Sequence, residues 1–146
     1  MANTCESAVV TCEDFRLHQK PVGENKIAEF VENLGESSDI ITRGGGIKDL
    51  VRPQQPGFRK SLLKDIEVSI NLHEISTFFL INHEDCGGYQ DLEFDTKKEE
   101  INQHKDDLEE AKEILKKRFP SIEIKLCLAR KKSEETWDFK IEKLDN

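Results

Sequence analysis

Residues 75–82, "ISTFFLIN", constrain the fold of this chain more than any other segment. Their β-branched and aromatic side chains leave an extended backbone on both sides, so a strand here needs cover on both faces. Strands of that kind lie inside parallel sheets packed between helices. A second apolar run, "SAVVTC" (7–12), reads as a short buried strand of the same type. The helices that such a sheet needs are also written in the pattern. Residues 24–35, "ENKIAEFVENLG", place Ile27, Phe30, Val31 and Leu34 on one helical face and stop at Gly35. A helical pattern returns from about Arg59 to Leu72 with Leu62, Leu63, Ile66 and Ile70. Residues 96–119 form a long helix lined by Ile101, Leu108 and Leu115 and ended by Pro120.

The remaining segments complete an alternating order. "SDIITRGGG" gives another short strand, which breaks at Gly44, Gly45 and Gly46. A plain turn is expected there rather than a phosphate cradle, because the Lys-Ser/Thr of a P-loop and the spacing of a dinucleotide fingerprint are both missing. The stretch through "RPQQPGF", with Pro53 and Pro56, is expected to be loop. "SIEIKLCLAR" alternates Ile122, Ile124, Leu126 and Leu128 with polar partners, and a last strand brings Trp137, Phe139 and Ile141 together, so the two read as a hairpin. The order strand, helix, strand, helix, strand, helix, strand, strand predicts a single domain over 1–146. Its fold is a three-layer α/β/α arrangement with a mostly parallel five-stranded sheet and an antiparallel edge strand. The charges of 96–118 are expected to cover a solvated helix face.

Composition narrows the partners. Lysine and arginine number 22 against 30 aspartate and glutamate, a formal net charge of -8 that repels phosphate backbones and anionic membrane surfaces. No nucleic acid partner and no membrane association are expected. The N-terminus lacks a basic region followed by an apolar run, and no stretch approaches the ~20 apolar residues of a membrane span, which points to the cytoplasm. Four cysteines in a long, highly charged chain fit reduced thiols or metal ligands better than a disulfide framework.

Sheets of this kind carry their chemistry at the carboxyl ends of the strands, where strand order reverses. Cys12 closes the first strand, and "NHEDCGG" puts His83 and Cys86 at the close of the third. Strands in those positions are commonly neighbours, so the three side chains can converge. Two thiolates and one imidazole suit zinc, and three protein ligands leave a fourth tetrahedral position open, the arrangement of catalytic sites. A strand-end turn that merely contains His83 and Cys86 is the plainer alternative. Cys5, near the N-terminus, and Cys127, mid-strand and out of phase with its apolar face, are read as incidental. Beside the first cysteine stands "TCEDFR". Residues two apart share a face of an extended backbone, so Cys12, Asp14 and Arg16 point the same way. An arginine partner keeps an aspartate ionised and orients it, although an ordinary surface pair is the alternative. His18, His73 and His104 show no partner pattern, and His18 is expected in an exposed loop.

Cys-x-Asp-x-Arg at a first strand end, paired with His-x-x-Cys-Gly at a later one, resembles the β-class carbonic anhydrases, and the chain looks like a small member of that family. "IITRGGGIKD" is similar to the family's Arg-x-x-Gly loop, "RKSLLKDIEVSINLHEISTFFLINHEDCGG" to its helix, strand and metal turn, and the final hairpin to its closing strands, over about Ala8 to Leu144. The resemblance implies reversible hydration of carbon dioxide to bicarbonate by zinc-bound hydroxide. It implies that Cys12, His83 and Cys86 hold Zn2+, that Asp14 and Arg16 form the catalytic dyad, and that the Gly87 backbone N–H faces the substrate region. It also implies a homodimer or higher homo-oligomer. Close relatives of the family hydrolyse carbonyl sulfide or carbon disulfide, and a non-catalytic zinc-binding protein of the same fold is the other alternative. Retention of both Asp14 and Arg16 favours catalysis. Phe15 stands where the family commonly has a small residue and is expected either to narrow the pocket or to pack into the core.

Overall fold

The computed structural model describes residues 3–19 and 25–144. Its centre is the pair of apolar runs. β1 (Ser7–Thr11) is buried along its whole length, and β3 (Thr77–His83) is buried everywhere but at its first residue. Around them β2 (Ser38–Thr42), β4 (Glu123–Lys131) and β5 (Phe139–Lys143) complete a five-stranded sheet in the order β2-β1-β3-β4-β5. The pairings among β1 to β4 are parallel, and β5 returns antiparallel along β4. This is the mixed α/β fold that the alternating order predicts, with strand order reversing between β1 and β3.

Helices cover both faces. α1 (Lys26–Leu34) begins where the Asn25 side chain accepts the Ala28 N–H and ends at Gly35, whose φ of +71° is the left-handed closure that glycine adopts without strain. The expected first residue of this helix, at position 24, lies outside the described residues. α1 packs Ile27, Phe30 and Leu34 over Val9, Phe79 and Ile81. The opposite face is covered by α2 (Lys48–Val51), α3 (Pro56–His73) and α4 (Lys97–Arg118). There Leu50, Leu62, Ile66, Leu108 and Leu115 close over Val10, Phe78, Leu80 and Leu126. α4 carries Glu99 and Glu100 in its first turn and Lys116, Lys117 and Arg118 in its last, a charge order that opposes the helix dipole at both ends. Among the described residues no helix is long and apolar enough to cross a membrane.

Several local expectations change. α3 starts at Pro56 rather than near Arg59, because proline needs no N–H at a first helical position. The end of the segment read as loop, residues 56–58, is thus helical, and a short helix, α2, stands just before that segment. Cys127 is out of phase with Ile124 and Leu126, as expected, but it is fully buried, because the second core layer covers that face of β4 as well. Trp137 precedes β5 and is 55% exposed, so it does not join Phe139 and Ile141 in a row. The charged face of α4 is not wholly solvated, because His104 and Asp107 are buried among it.

Phe78 is completely buried at the centre of the α3/α4 layer, whereas Leu72 on α3 is 66% exposed. Phe78→Ala should cost about 3–5 kcal/mol by urea unfolding. Leu72→Ala should stay within about 0.5 kcal/mol of wild type.

Candidate metal centre

Parallel pairing of β1 with β3 sets their carboxyl ends side by side, Thr11 against Ile81. Cys12 follows β1 directly, and His83 is the last residue of β3. Between His83 and Cys86 the chain turns at Asp85, whose φ of +60° is left-handed and strained for a residue with a side chain. The turn brings the Cys86 and Cys12 Sγ atoms to 3.9 Å, and one ligand atom from each of Cys12, His83 and Cys86 lies within 4.8 Å of the others. All three side chains are buried.

The donor set fits zinc on two counts. Two thiolates bound at about 2.3 Å to one tetrahedral ion stand roughly 3.8 Å apart, close to the observed sulfur separation. His83 supplies the other argument: its Nδ1–H donates to the Glu84 carbonyl at 2.8 Å, which leaves Nε2 as an acceptor, buried and without a hydrogen-bond partner. A ring nitrogen oriented by its other N–H and left bare beside two sulfurs is the form in which histidine ligates metal. Glu84 is itself fixed, its carboxylate accepting from Lys97 Nζ at 2.6 Å and from the Lys131 N–H at 3.3 Å.

The thiols share their charge. A hydrogen bond from Cys86 holds Cys12 far below the usual thiol range against the effect of burial, with help from His83 and the Gly45 N–H. The same contact and burial push Cys86 up. Burial opposes protonation of His83, but attraction to Cys12 outweighs it and raises the imidazole.

Asp14 and Arg16 stand beside this cluster as a bidentate pair. Arg16 donates from Nε to Oδ1 at 3.1 Å and from Nη2 to Oδ2 at 2.8 Å, and its backbone N–H donates to Oδ1 at 2.9 Å across the 3-10 turn Phe15–Leu17. Asp14 Oδ2 lies 3.8 Å from His83 Nε2, so the carboxylate borders the donor cluster. Burial opposes its ionisation, yet the Arg16 hydrogen bonds win and hold the carboxyl below its ordinary range. Arg16 is gripped from its other side as well, donating to Asp85 Oδ2 at 3.0 Å and to the Asp85 carbonyl at 2.9 Å. Phe15, between the pair, is 45% exposed and packs edge-on against Trp137 with ring centres 5.4 Å apart. It is therefore a surface aromatic beside the dyad and not a core residue.

The glycine turn is more than a plain turn. A Cβ on Gly88 would sit 2.5 Å from Gly45 Cα, so the loop after β2 and the turn after Cys86 meet backbone to backbone. Their amides face the thiols, Gly45 toward Cys12 and Gly88 toward Cys86. Lys48, buried, ties the two by donating to the Gly88 carbonyl at 2.6 Å and to Asp91 at 2.7 Å. Gly87 opens the short 3-10 turn Gly87–Tyr89 and is exposed next to Cys86.

Sequence reasoning missed Asp85 and the polar groups behind it, Asn82, Tyr89, Glu100, His104 and Asp107. The signal was available: 100, 104 and 107 follow helical spacing on the same side as Ile101 and Leu108, where charge is not expected. His18 also has a partner, its Nε2 lying 2.9 Å from the Cys12 carbonyl.

Fold and donor set together define an α/β protein with a candidate zinc centre at the carboxyl edge of its sheet. Residues 2–137 match the family model described as "Putative carbonic anhydrase", and the chain belongs to that family. Two curated relatives are uncharacterized proteins from Rickettsia bellii and Rickettsia conorii, 26% and 25% identical over 84% of this chain. The matched part spans 74% of the first relative and 66% of the second. Among solved structures, the carbonic anhydrase from Streptococcus mutans matches with a TM-score of 0.57 at 18% identity, covering 99% of this chain and 84% of that one. The β-carbonic anhydrase CafA of Aspergillus fumigatus matches at 0.53 and 14% identity, covering 98% and 76%. At these identities the likeness to solved structures is one of fold.

Two outcomes follow. Gly88→Ala should separate the facing loops and weaken zinc binding about 10–100-fold in chelator competition, the usual scale for lost support of ligands. Gly57→Ala, where an added Cβ meets nothing within 4 Å, should leave affinity unchanged. The second outcome concerns pH. The Asp14 carboxyl is held down only in the folded chain, so its contribution to stability is complete above about pH 4, its ordinary range, and is lost as pH falls through the lower folded value. In metal-free protein the difference in urea stability between wild type and Asp14→Asn should therefore narrow steadily on acidification below that point. A difference independent of pH would disprove the pairing.

Proposed function

We propose that this chain is a zinc-dependent carbonic anhydrase that reversibly hydrates carbon dioxide to bicarbonate. The observation that carries the proposal is the Asp14–Arg16 pair held against a buried Cys/His/Cys donor set. A purely structural zinc would need the three ligands and a fourth, but no ionised carboxylate kept beside them by a guanidinium. Cys12, His83 and Cys86 would hold the metal. Bound there, zinc supplies Lewis acidity that brings the ionisation of water to about pH 7 and so provides a nucleophile under neutral conditions.

The protein's own groups do the rest. Asp14, anionic and acceptor-only, would accept a hydrogen bond from the nucleophile and so orient its lone pair toward the carbon of carbon dioxide. Arg16 keeps that carboxylate charged and correctly turned, and is itself held by two hydrogen bonds to Asp85. The Gly87 N–H, exposed beside Cys86, is assigned to the substrate oxygen. In the same reading the chain is a single domain, acts in the cytoplasm, where its unpaired thiols stay reduced, and assembles as a homodimer. Its net charge of -8 argues against nucleic acid partners.

Stopped-flow hydration on protein carrying one zinc per chain tests the proposal. The expected result is hydration far above buffer, rising with pH through about 7. In Asp14→Ala, equally loaded, it should fall by about 100-fold or more, the scale of a lost general acid–base group. No hydration by the loaded wild type would overturn carbon dioxide as the substrate. Assays with carbonyl sulfide and carbon disulfide would then separate a related hydrolase from a non-catalytic zinc protein.

A further inference from the structure

The charged face of α4 turns a polar stripe inward, behind the turn that carries His83 and Cys86. His104 is completely buried, and the Glu100 side chain is only 14% exposed. The hydrogen bonds among these groups have a single consistent direction. Asn82, the neighbour of His83, donates from Nδ2 to the Tyr89 hydroxyl at 2.9 Å and to His104 Nδ1 at 3.1 Å, while the Tyr89 hydroxyl donates onward to Asp107 at 2.7 Å. His104 Nδ1 is therefore an acceptor, and its Nε2–H is left to donate to Glu100 Oε2 at 3.3 Å. The same Glu100 oxygen accepts the backbone N–H of Asp85 at 2.5 Å.

That last bond has a consequence at the dyad. Asp85 is the left-handed residue between the two metal-turn ligands, and both its carbonyl and its carboxylate accept from Arg16. A conformation that strained needs an external anchor, and the Glu100 carboxylate is the group that supplies one. We infer that Glu100 and His104 are positioning residues for the Asp14–Arg16 dyad. His104 orients Glu100, Glu100 fixes the Asp85 backbone, and Asp85 fixes the guanidinium that aims Asp14. Glu100 and His104, both behind the turn, act through Asp85. The catalytic consequence rests on the carbonic anhydrase reading, but the geometric claim does not.

The test therefore has two readouts on full-length, zinc-loaded protein. The first is the Arg16 Nε–H resonance in nitrogen-15-labelled protein, assigned with Arg16→Lys, and its hydrogen-exchange rate. The second is kcat and KM for carbon dioxide hydration. Glu100→Ala should accelerate Arg16 Nε–H exchange at least about tenfold and lower kcat about 10–100-fold with KM little changed, as expected for lost support of a group that acts in the transition state. Glu100→Gln keeps an acceptor for both N–H groups and should restore most of both properties. His104→Leu should fall between them. If Arg16 exchange stays at the wild-type rate in a folded, fully loaded Glu100→Ala protein, the inference is wrong, whatever the activity. If the wild type hydrates no carbon dioxide, the proposed function fails, and Arg16 exchange still decides the positioning claim.

Discussion

Everything at the candidate site hangs from the parallel pairing of β1 and β3. Val9 faces Phe79 on one side of the sheet while Val10 and Leu80 face the other core, so both strands are held by apolar burial from two directions. This arrangement leaves no freedom of register, because a slip by one residue would send each strand's entire inward set to the opposite layer. With the register locked, the residues just past the strand ends have nowhere else to be. Cys12 and His83 are neighbours because Thr11 and Ile81 are partners. The geometry of the candidate metal centre is therefore a by-product of hydrophobic packing several residues away.

Around those strand ends the molecule accepts costs that its core does not. Lys48, Glu84 and Asp107 are buried charges, each tied to a partner, and such pairs add little net stability when compared with apolar packing. Arg52 Nε and Nη2 and Asn82 Oδ1 are buried without partners. Stability must come from the two apolar layers, and the polar groups behind the turn serve geometry instead. The division is spatial: the two faces of the sheet stabilise, and its carboxyl edge positions.

Most of the fold is legible in the sequence because burial on two faces leaves an unbroken apolar signature. "ISTFFLIN" and "SAVVTC" declare the interior strands, and Gly35 and Pro120 punctuate the helices. The donor set is legible too, since Cys12, His83 and Cys86 sit at the ends of those strands. What escaped is whatever depends on which side of a charged helix turns inward. In α4 a long run of lysines and glutamates hides His104 and Asp107, and their burial follows from the partners Asn82 and Tyr89 on the neighbouring strand and turn. Pairing across elements has no local pattern. The same holds for Asp85, whose left-handed backbone is set by a carboxylate fifteen positions away in the sequence. Pro56 misleads for a different reason, because the residue that ends one kind of segment is equally suited to begin a helix.

The chain contains a single tryptophan. Trp137 stands on the hairpin loop between β4 and β5, half exposed, and its ring meets the ring of Phe15, the residue enclosed by Asp14 and Arg16. Light emitted from this indole thus originates at one place only, the rim of the dyad. The unlabelled protein carries its own optical probe there, and rearrangement of the Asp14–Arg16 turn can be followed by indole fluorescence excited at the red edge of the band, where the one tyrosine, Tyr89, does not absorb.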